Sequence, residues 1–476
     1  MLVDAADLPA GTVLRPDVAI VGSGPAGLTV ALELRGHGLD VVVLESGGAE
    51  VTADGQALLD GDQVADAFVY ERQAVGLDVI RLRALGGSSG HWGGMSRALD
   101  PIDLAPFPAY DRGGWPLTPD ELAPAYARAA TTLELSPDVA VADWFAAAGR
   151  PVFVDTDEVE QVLYRLSPPT KFGVRYRPDL EEADDVTVVL GATVVAIATN
   201  ARGDHVTGLD VVDPDGRAIG VAPGRVVLAG GGIDVPRLLL VSEVANSSGL
   251  VGAGFMEHPH VRSGRAVLDV DPAHEPLLVP GNGAWPAIHV REDVRREQGL
   301  LAAAMTFEQP GHTAAGPGDL IDGVAGLFDG PTVHRTTVLR GEQLALSTNA
   351  VRLGRRRDRF GVPVAEISWT VDDRTLDSLD RTLAILSDAV ARAGLGRMER
   401  YEHGTRGTVE IGCHHMGTAR MSDDPAAGVV DRDQRAHDVD NLYVAGSAVF
   451  PTTGYANPTF TIVALSHRLA ATLLSS

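Results

Sequence analysis

Short apolar runs alternating with Gly-rich turns set the framework at the N-terminus. Val18-Ala19-Ile20-Val21 reads as a buried strand, and Gly22-Ser23-Gly24-Pro25-Ala26-Gly27 follows at once. Leu28 to Leu34 then carries apolar residues at helical spacing, and Asp40 to Leu44 reads as a second strand ending at Glu45. Further along, Pro119 to Leu133 predicts a helix after the DRGGWP turn at 111–116. Val186 to Leu190, Thr193 to Ile197, Val206 to Val212 and Arg225 to Leu228 predict strands, the last two joined by an Asp215-Gly216 turn. A Gly230-Gly231-Gly232 cluster leads into a helix over Val235 to Val241. From about 262 to 405, apolar and polar stretches alternate with many turns. This predicts a largely antiparallel layer with one amphipathic helix from about Asp372 to Ala393. Pro458 fits the first position of a C-terminal helix and Asn457 its cap, with Ile462, Val463, Leu465, Leu469 and Leu473 on the buried side.

The first of these units has a specific physical use. Gly22 permits a tight turn, Gly24 lets a pyrophosphate approach the backbone, and Gly27 lets helix and strand pack closely. The helix start supplies N–H groups and partial positive charge. Glu45 stands where a carboxylate can accept bonds from ribose hydroxyls. Strand, glycines, helix, strand and acid in this order predict dinucleotide binding, without separating FAD from NAD. Only one such unit occurs, which disfavours a two-nucleotide reductase. Arg83 to Gly94 (RALGGSSGHWGG) is too Gly-rich for a helix interior. With His91 and Trp92 in its middle, it reads as a loop contacting a ligand.

Composition narrows the partners. The formal charge is −25, from 64 acidic and 39 basic residues, which argues against nucleic acid and anionic lipid as partners. The single cysteine, Cys413, precludes an intramolecular disulfide and Cys-rich metal sites, and no metal is expected. No apolar run reaches the roughly 18 residues of a membrane span, and residues 1–15 do not form a secretory signal. A soluble cytoplasmic protein is expected. The one lysine, Lys171, reads most simply as a surface residue in an arginine-biased chain.

Taken together, GSGPAG with Glu45, LGGSS from Leu85, VVLAGGGIDVPRLLL from Val226, MEHP from Met256, H-x-x-G-T from His414 and NLYVAGSAVFPTTGYANPT from Asn441 resemble the glucose–methanol–choline (GMC) family of flavin oxidoreductases over nearly the whole length. GGSSGHWGG and ANPT look most like its pyranose 2-oxidase and glycoside 3-oxidase branch. The resemblance implies an α/β fold: a Rossmann-like FAD-binding domain over 1–98, 152–261 and 406–476, and a largely antiparallel substrate-binding domain over 99–151 and 262–405. It implies FAD as cofactor, with Gly22, Gly24, Gly27, Glu45, Ser88, His91, Trp92, Gly93, Val194, Gly446, Ser447, Asn457 and Thr459 around it. In fungal pyranose oxidases the residue matching His91 is bonded covalently to the flavin. Here Trp92 and Gly93 follow, where those enzymes have a threonine, so the resemblance leaves covalent attachment open.

The implied reaction oxidises a secondary hydroxyl of a sugar or glycoside by hydride transfer to the flavin, with oxygen or a quinone-type acceptor as reoxidant. His414 is the expected base and His415 the second candidate, because a neutral imidazole suits proton transfer near pH 7. Asn457 would hold the substrate oxygen. Gln309 and His312 lie in a Gly- and Pro-rich stretch able to cover the site, although an exposed loop is the simpler reading. A non-sugar alcohol as substrate and a non-catalytic flavin-binding protein are the competing readings. Retention of both His414 and Asn457 opposes the second.

Overall fold

Six parallel strands carry the N-terminal unit. Their order across the sheet is Leu2–Asp4, Val186–Leu190, Val41–Glu45, Val18–Val21, Arg225–Leu228 and Leu442–Val444. The computed structural model describes residues 1–66, 68–150, 152–270, 278–308, 332–400 and 409–475. The inner strands are largely apolar on both sides because both faces are covered, while the edge strand Leu2–Asp4 is half-buried and ends on the exposed Asp4. Val18, Ile20, Val41, Val43, Val186 and Val188 pack with the helix Pro25–Leu34 and the C-terminal helix Thr459–Ser475. Ala19, Val42, Leu44, Val189, Val226 and Leu228 face the helix Gly231–Ser242 and a four-stranded sheet on the other side.

That smaller sheet corrects one expectation. The Asp215-Gly216 turn leads from Val206–Val212 into an additional short strand, Ala218–Val221, which pairs antiparallel with it. Arg225–Leu228 instead crosses to the parallel sheet beside Val18–Val21. The short strand escaped the sequence pattern because its sequence, AIGV, is brief and interrupted by Gly220.

The second layer is an eight-stranded antiparallel sheet. Along its main path run Gly396–Arg400, Pro259–Asp269, Thr332–Gly341, Ala303–Glu308, Ala284–Val290, Val159–Leu166 and Met95–Ser96, while Val409–Ile411 pairs onto Pro259–Asp269. The helix Asp373–Arg392 covers one face. Its cap is Asp372, whose carboxylate accepts from the Thr375 N–H at 2.9 Å. Leu379, Leu383 and Leu386 of this helix bury against Val261, Ile288, Met305, Phe307 and Leu339 of the sheet. Each fully buried side chain of this size contributes about 1.5–3 kcal/mol. Strand alternation therefore turns His260, Arg262, Trp285, Glu308 and Arg340 to the opposite face, where they line a cavity shared with the parallel sheet.

The fold class is as the sequence implied, but sheet pairing ignores the boundaries drawn at 98, 152 and 261. Met95–Ser96 and Val159–Leu166, both assigned to the cofactor domain, pair in the antiparallel sheet. Gly61–Ala65 adds in parallel to Pro363–Trp369. Such pairings are long-range, so no local pattern reports them. Among the described residues, no helix is long and apolar enough to cross a membrane.

Candidate active site

One cavity of about 730 Å³ runs between the two layers, within the size range of small-molecule sites. At one end the Gly-rich turn forms its floor. Gly22 has φ +105°, and its N–H donates to the Leu44 carbonyl at 2.9 Å. Gly24 opens the helix Pro25–Leu34, and a Cβ there would meet nothing within 4 Å, leaving open space above the helix start. Gly27 lies behind this surface rather than on it. A Cβ on Gly27 would stand 2.0 Å from the Gly22 carbonyl oxygen. Glu45 braces the same turn: Oε2 accepts from the Ser23 N–H at 3.0 Å and hydroxyl at 2.5 Å, and Oε1 accepts from the Gly47 N–H at 2.7 Å. The acid read as a ribose partner thus also holds the glycine turn, while still lining the cavity.

Ser88, His91, Trp92, Gly93, Val194, Gly446, Ser447, Asn457 and Thr459 all line this cavity as well. Trp92 is fixed by its Nε1–H donating to the Thr170 carbonyl at 2.9 Å. Ser447 donates to the His415 carbonyl at 2.7 Å. The cradle fits a dinucleotide cofactor: helix N–H groups and open space at Gly24, the Glu45 carboxylate on the cavity wall, and backbone lining it at Gly446 (φ +103°).

At the far end His414 and Asn457 meet. Asn457 Nδ2 lies 3.2 Å from His414 Nε2, and Asn457 Oδ1 has no partner. His414 Nδ1 lies 2.9 Å from Nδ1 of His258, and His258 Nε2 lies 3.3 Å from the Thr453 carbonyl oxygen. Burial, reinforced by neighbouring rings and Arg340, holds the His414 pKa well below the ordinary histidine value. The loop is shaped by the buried Glu257, whose carboxyl accepts from the Gly412 N–H at 2.6 Å and from the His414 N–H, with Cys413 between them at φ +60°. Burial pushes the Glu257 pKa up to about 8, against the lowering effect of these N–H donors.

His415 occupies a different setting. Its ring packs against both Phe68 and Phe255, with centroids at 6.2 and 6.0 Å, Nε2 has no partner, and burial lowers its pKa to about 3. Gly232 makes room beneath it, since a Cβ there would lie 2.3 Å from the His415 carbonyl oxygen. Asn457 departs from the expected cap. The first helical bond runs from the Ile462 N–H to the Pro458 carbonyl at 2.8 Å, so Pro458 takes the cap position. Asn457 stands one residue earlier, and its side chain turns to His414.

Gln309 and His312 lie outside the described residues. The sequence reading missed Glu257, His258 and the polar face of the antiparallel sheet. That face carries Arg340 Nη2 donating to Glu308 at 2.9 Å and Arg262 Nε donating to Glu410 at 3.0 Å. The Arg340 guanidinium sits 5.3 Å over the Trp285 ring, whose Nε1–H is buried without a partner. Period-two placement of Arg262 with His260 and of Arg340 with Val338 was the available signal, but the strands themselves had not been delimited.

A doubly covered parallel sheet with a Gly-rich phosphate turn, opening onto an imidazole–carboxamide pair, defines a nucleotide-dependent oxidoreductase architecture. Residues 345–466 match the family model described as GMC oxidoreductase, and residues 15–58 match one described as FAD binding domain. The chain is 28% identical to paromamine 6'-oxidase of Streptomyces fradiae over 95% of its own length and 90% of that protein. It is 32% identical to a C-glycoside 3-oxidase of Arthrobacter globiformis over 23% of its length and 21% of that protein. The solved structure of formate oxidase shares the fold, with a TM-score of 0.65 at 17% identity, covering 98% of this chain and 99% of that one. The chain thus carries a GMC oxidoreductase domain over 345–466 and an FAD-binding domain over 15–58, and its cofactor is FAD.

Proposed function

We propose that the protein oxidises a secondary hydroxyl of a sugar or glycoside to the keto product, with His414 as base. Bound FAD supplies the acceptor for the hydride leaving the carbon. His414 Nε2 takes the hydroxyl proton, while Asn457 Nδ2 donates to the substrate oxygen and fixes its position. The alcohol thus loses one proton and one hydride, and a C=O bond forms. The observation that carries this reading is the 3.2 Å His414–Asn457 pair on the wall of the cavity that also holds the nucleotide cradle.

The polar sheet face supports a polyhydroxylated substrate. Arg262, Glu308, Arg340 and Glu410 form ion pairs at the cavity wall, and a hydrocarbon seated there would strip them of water with nothing in return. The Trp285 indole lines the cavity with apolar ring surface, which suits the C–H face of a pyranose. The test is anaerobic titration of the yellow holoprotein with sugars, glycosides and simple secondary alcohols, followed by product identification. Sugars should bleach the flavin at far lower concentration than 2-propanol. His414→Ala should retain FAD and lose about 10²-fold or more of the reduction rate. Normal reduction in that variant refutes the assignment. The reoxidant is read by comparing oxygen consumption with dye reduction on the same substrate.

A further inference from the structure

We propose that His258 is a positioning residue which, anchored on the Thr453 carbonyl, holds the proton of His414 on Nδ1 and leaves the Nε2 lone pair facing the substrate. The inference rests on His414 being the base. It follows from which atoms can donate. A carbonyl oxygen only accepts, so the 3.3 Å contact between His258 Nε2 and the Thr453 oxygen places the His258 proton on Nε2. The neutral His258 ring then presents a lone pair at Nδ1. The 2.9 Å contact between the two Nδ1 atoms is satisfied only if His414 Nδ1 donates. Nε2 of His414 is left as an acceptor, which without substrate fits Asn457 Nδ2 as its donor at 3.2 Å, a bond the substrate hydroxyl replaces.

The opposite assignment fails at the carbonyl. With the proton of His414 on Nε2, His258 would have to donate from Nδ1. Its Nε2 lone pair would then face the Thr453 oxygen with no proton between two buried acceptors. His258 is 1% exposed, so no solvent relieves that contact. Burial also lowers its pKa to about 4, which keeps the ring neutral near pH 7.

The same chain acts once the base has been protonated. The hydroxyl proton arrives on His414 Nε2, and the Nδ1–H bond to His258 becomes charge-assisted and stronger. The Nδ1 proton can shift toward His258 while the His258 Nε2–H stays on Thr453. One positive charge is then shared by two rings, with no other atom or electron moved. Sharing counts here because the surroundings oppose a cation on His414 alone. His260 and His415 stand nearby as neutral rings, Arg340 adds positive charge, and Glu257 contacts the His414 backbone rather than its ring. Glu342 is the carboxylate whose field favours a charge on His258, against Arg340, which opposes it there as at His414.

Two measurements test the proposal. In the wild-type holoprotein, ¹⁵N-labelled His414, assigned by its loss in His414→Ala, should show a proton on Nδ1 and a bare Nε2. A proton found on Nε2 overturns the proposal without any variant needing to fold. In stopped-flow reduction, His258→Phe should lower the limiting rate roughly 10- to 100-fold, the range for a buried donor left without its acceptor, with a smaller change in substrate affinity. His258→Gln, whose amide oxygen can accept from Nδ1, should recover most of that loss. An unchanged rate in His258→Phe, or a Gln variant as slow as the Phe variant, overturns the proposal. If His414→Ala itself reduces normally, it is the assignment of the base that fails.

Discussion

Two glycines three residues apart perform different tasks, and alanine at each separates them. Alanine at Gly27 would bring Cβ to 2.0 Å from the Gly22 carbonyl oxygen, so that carbonyl must retreat by more than an ångström. It has nowhere to go. The Gly22 N–H is tied to Leu44 at 2.9 Å, and the Gly22 Cα already lies so close to Ala229 that a Cβ on it would meet the Ala229 oxygen at 2.8 Å. Overpacking costs about 1–3 kcal/mol. Each backbone hydrogen bond broken to relieve it costs about 0.5–1.5 kcal/mol more. Gly27→Ala should therefore destabilise the apoprotein by about 2–4 kcal/mol, a large part of a typical 5–15 kcal/mol. Gly24→Ala meets no protein atom within 4 Å, and the change of helix cap costs about 1 kcal/mol or less. Its methyl group instead enters the space above the helix start, where the cofactor phosphates would lie. The Kd for FAD should rise at least about tenfold, equivalent to about 1.4 kcal/mol. Chemical denaturation of the apo forms and fluorescence titration with FAD read the two effects separately. The reasoning is refuted if Gly24→Ala weakens the apoprotein as much as Gly27→Ala, or if it binds FAD as tightly as wild type.

Two further outcomes follow from the reacting end. Glu257 is raised by burial from the ordinary carboxylate value of 4.5 to about 8, so the folded state holds its proton more tightly than the unfolded chain. Its contribution to stability is present in full below about pH 4.5 and is lost as pH rises through about 8. The Tm of wild type should fall over that window relative to Glu257→Gln, and parallel Tm–pH curves would contradict the assignment. Asn457→Asp replaces the donor at His414 Nε2 with an acceptor. It should slow flavin reduction by about tenfold or more while FAD stays bound, and an unchanged rate measured by stopped flow would remove Asn457 from the site.

Much of the cofactor cradle was legible along the chain because its parts are local. The turn, the helix start and Glu45 lie within one strand-turn-helix-strand unit, and each glycine answers to a contact inside it or just across it. The helix Asp373–Arg392 was legible for the same reason: its period and its Asp372 cap are short-range signals. What the sequence determined by itself was therefore the nucleotide unit, the covering helix, and the residue types His414 and Asn457. Tertiary structure alone decided their company. His258 lies 156 residues from His414, and Asn457 lies 43 residues beyond it. Arg340 and Glu308 become neighbours only when their strands pair. Tertiary folding also moved the cap from Asn457 to Pro458 and drew Met95–Ser96 and Val159–Leu166 into the antiparallel sheet. Periodicity reports which face of an element is apolar. It does not report which distant strand supplies the hydrogen bonds, or which proton a buried carbonyl will demand.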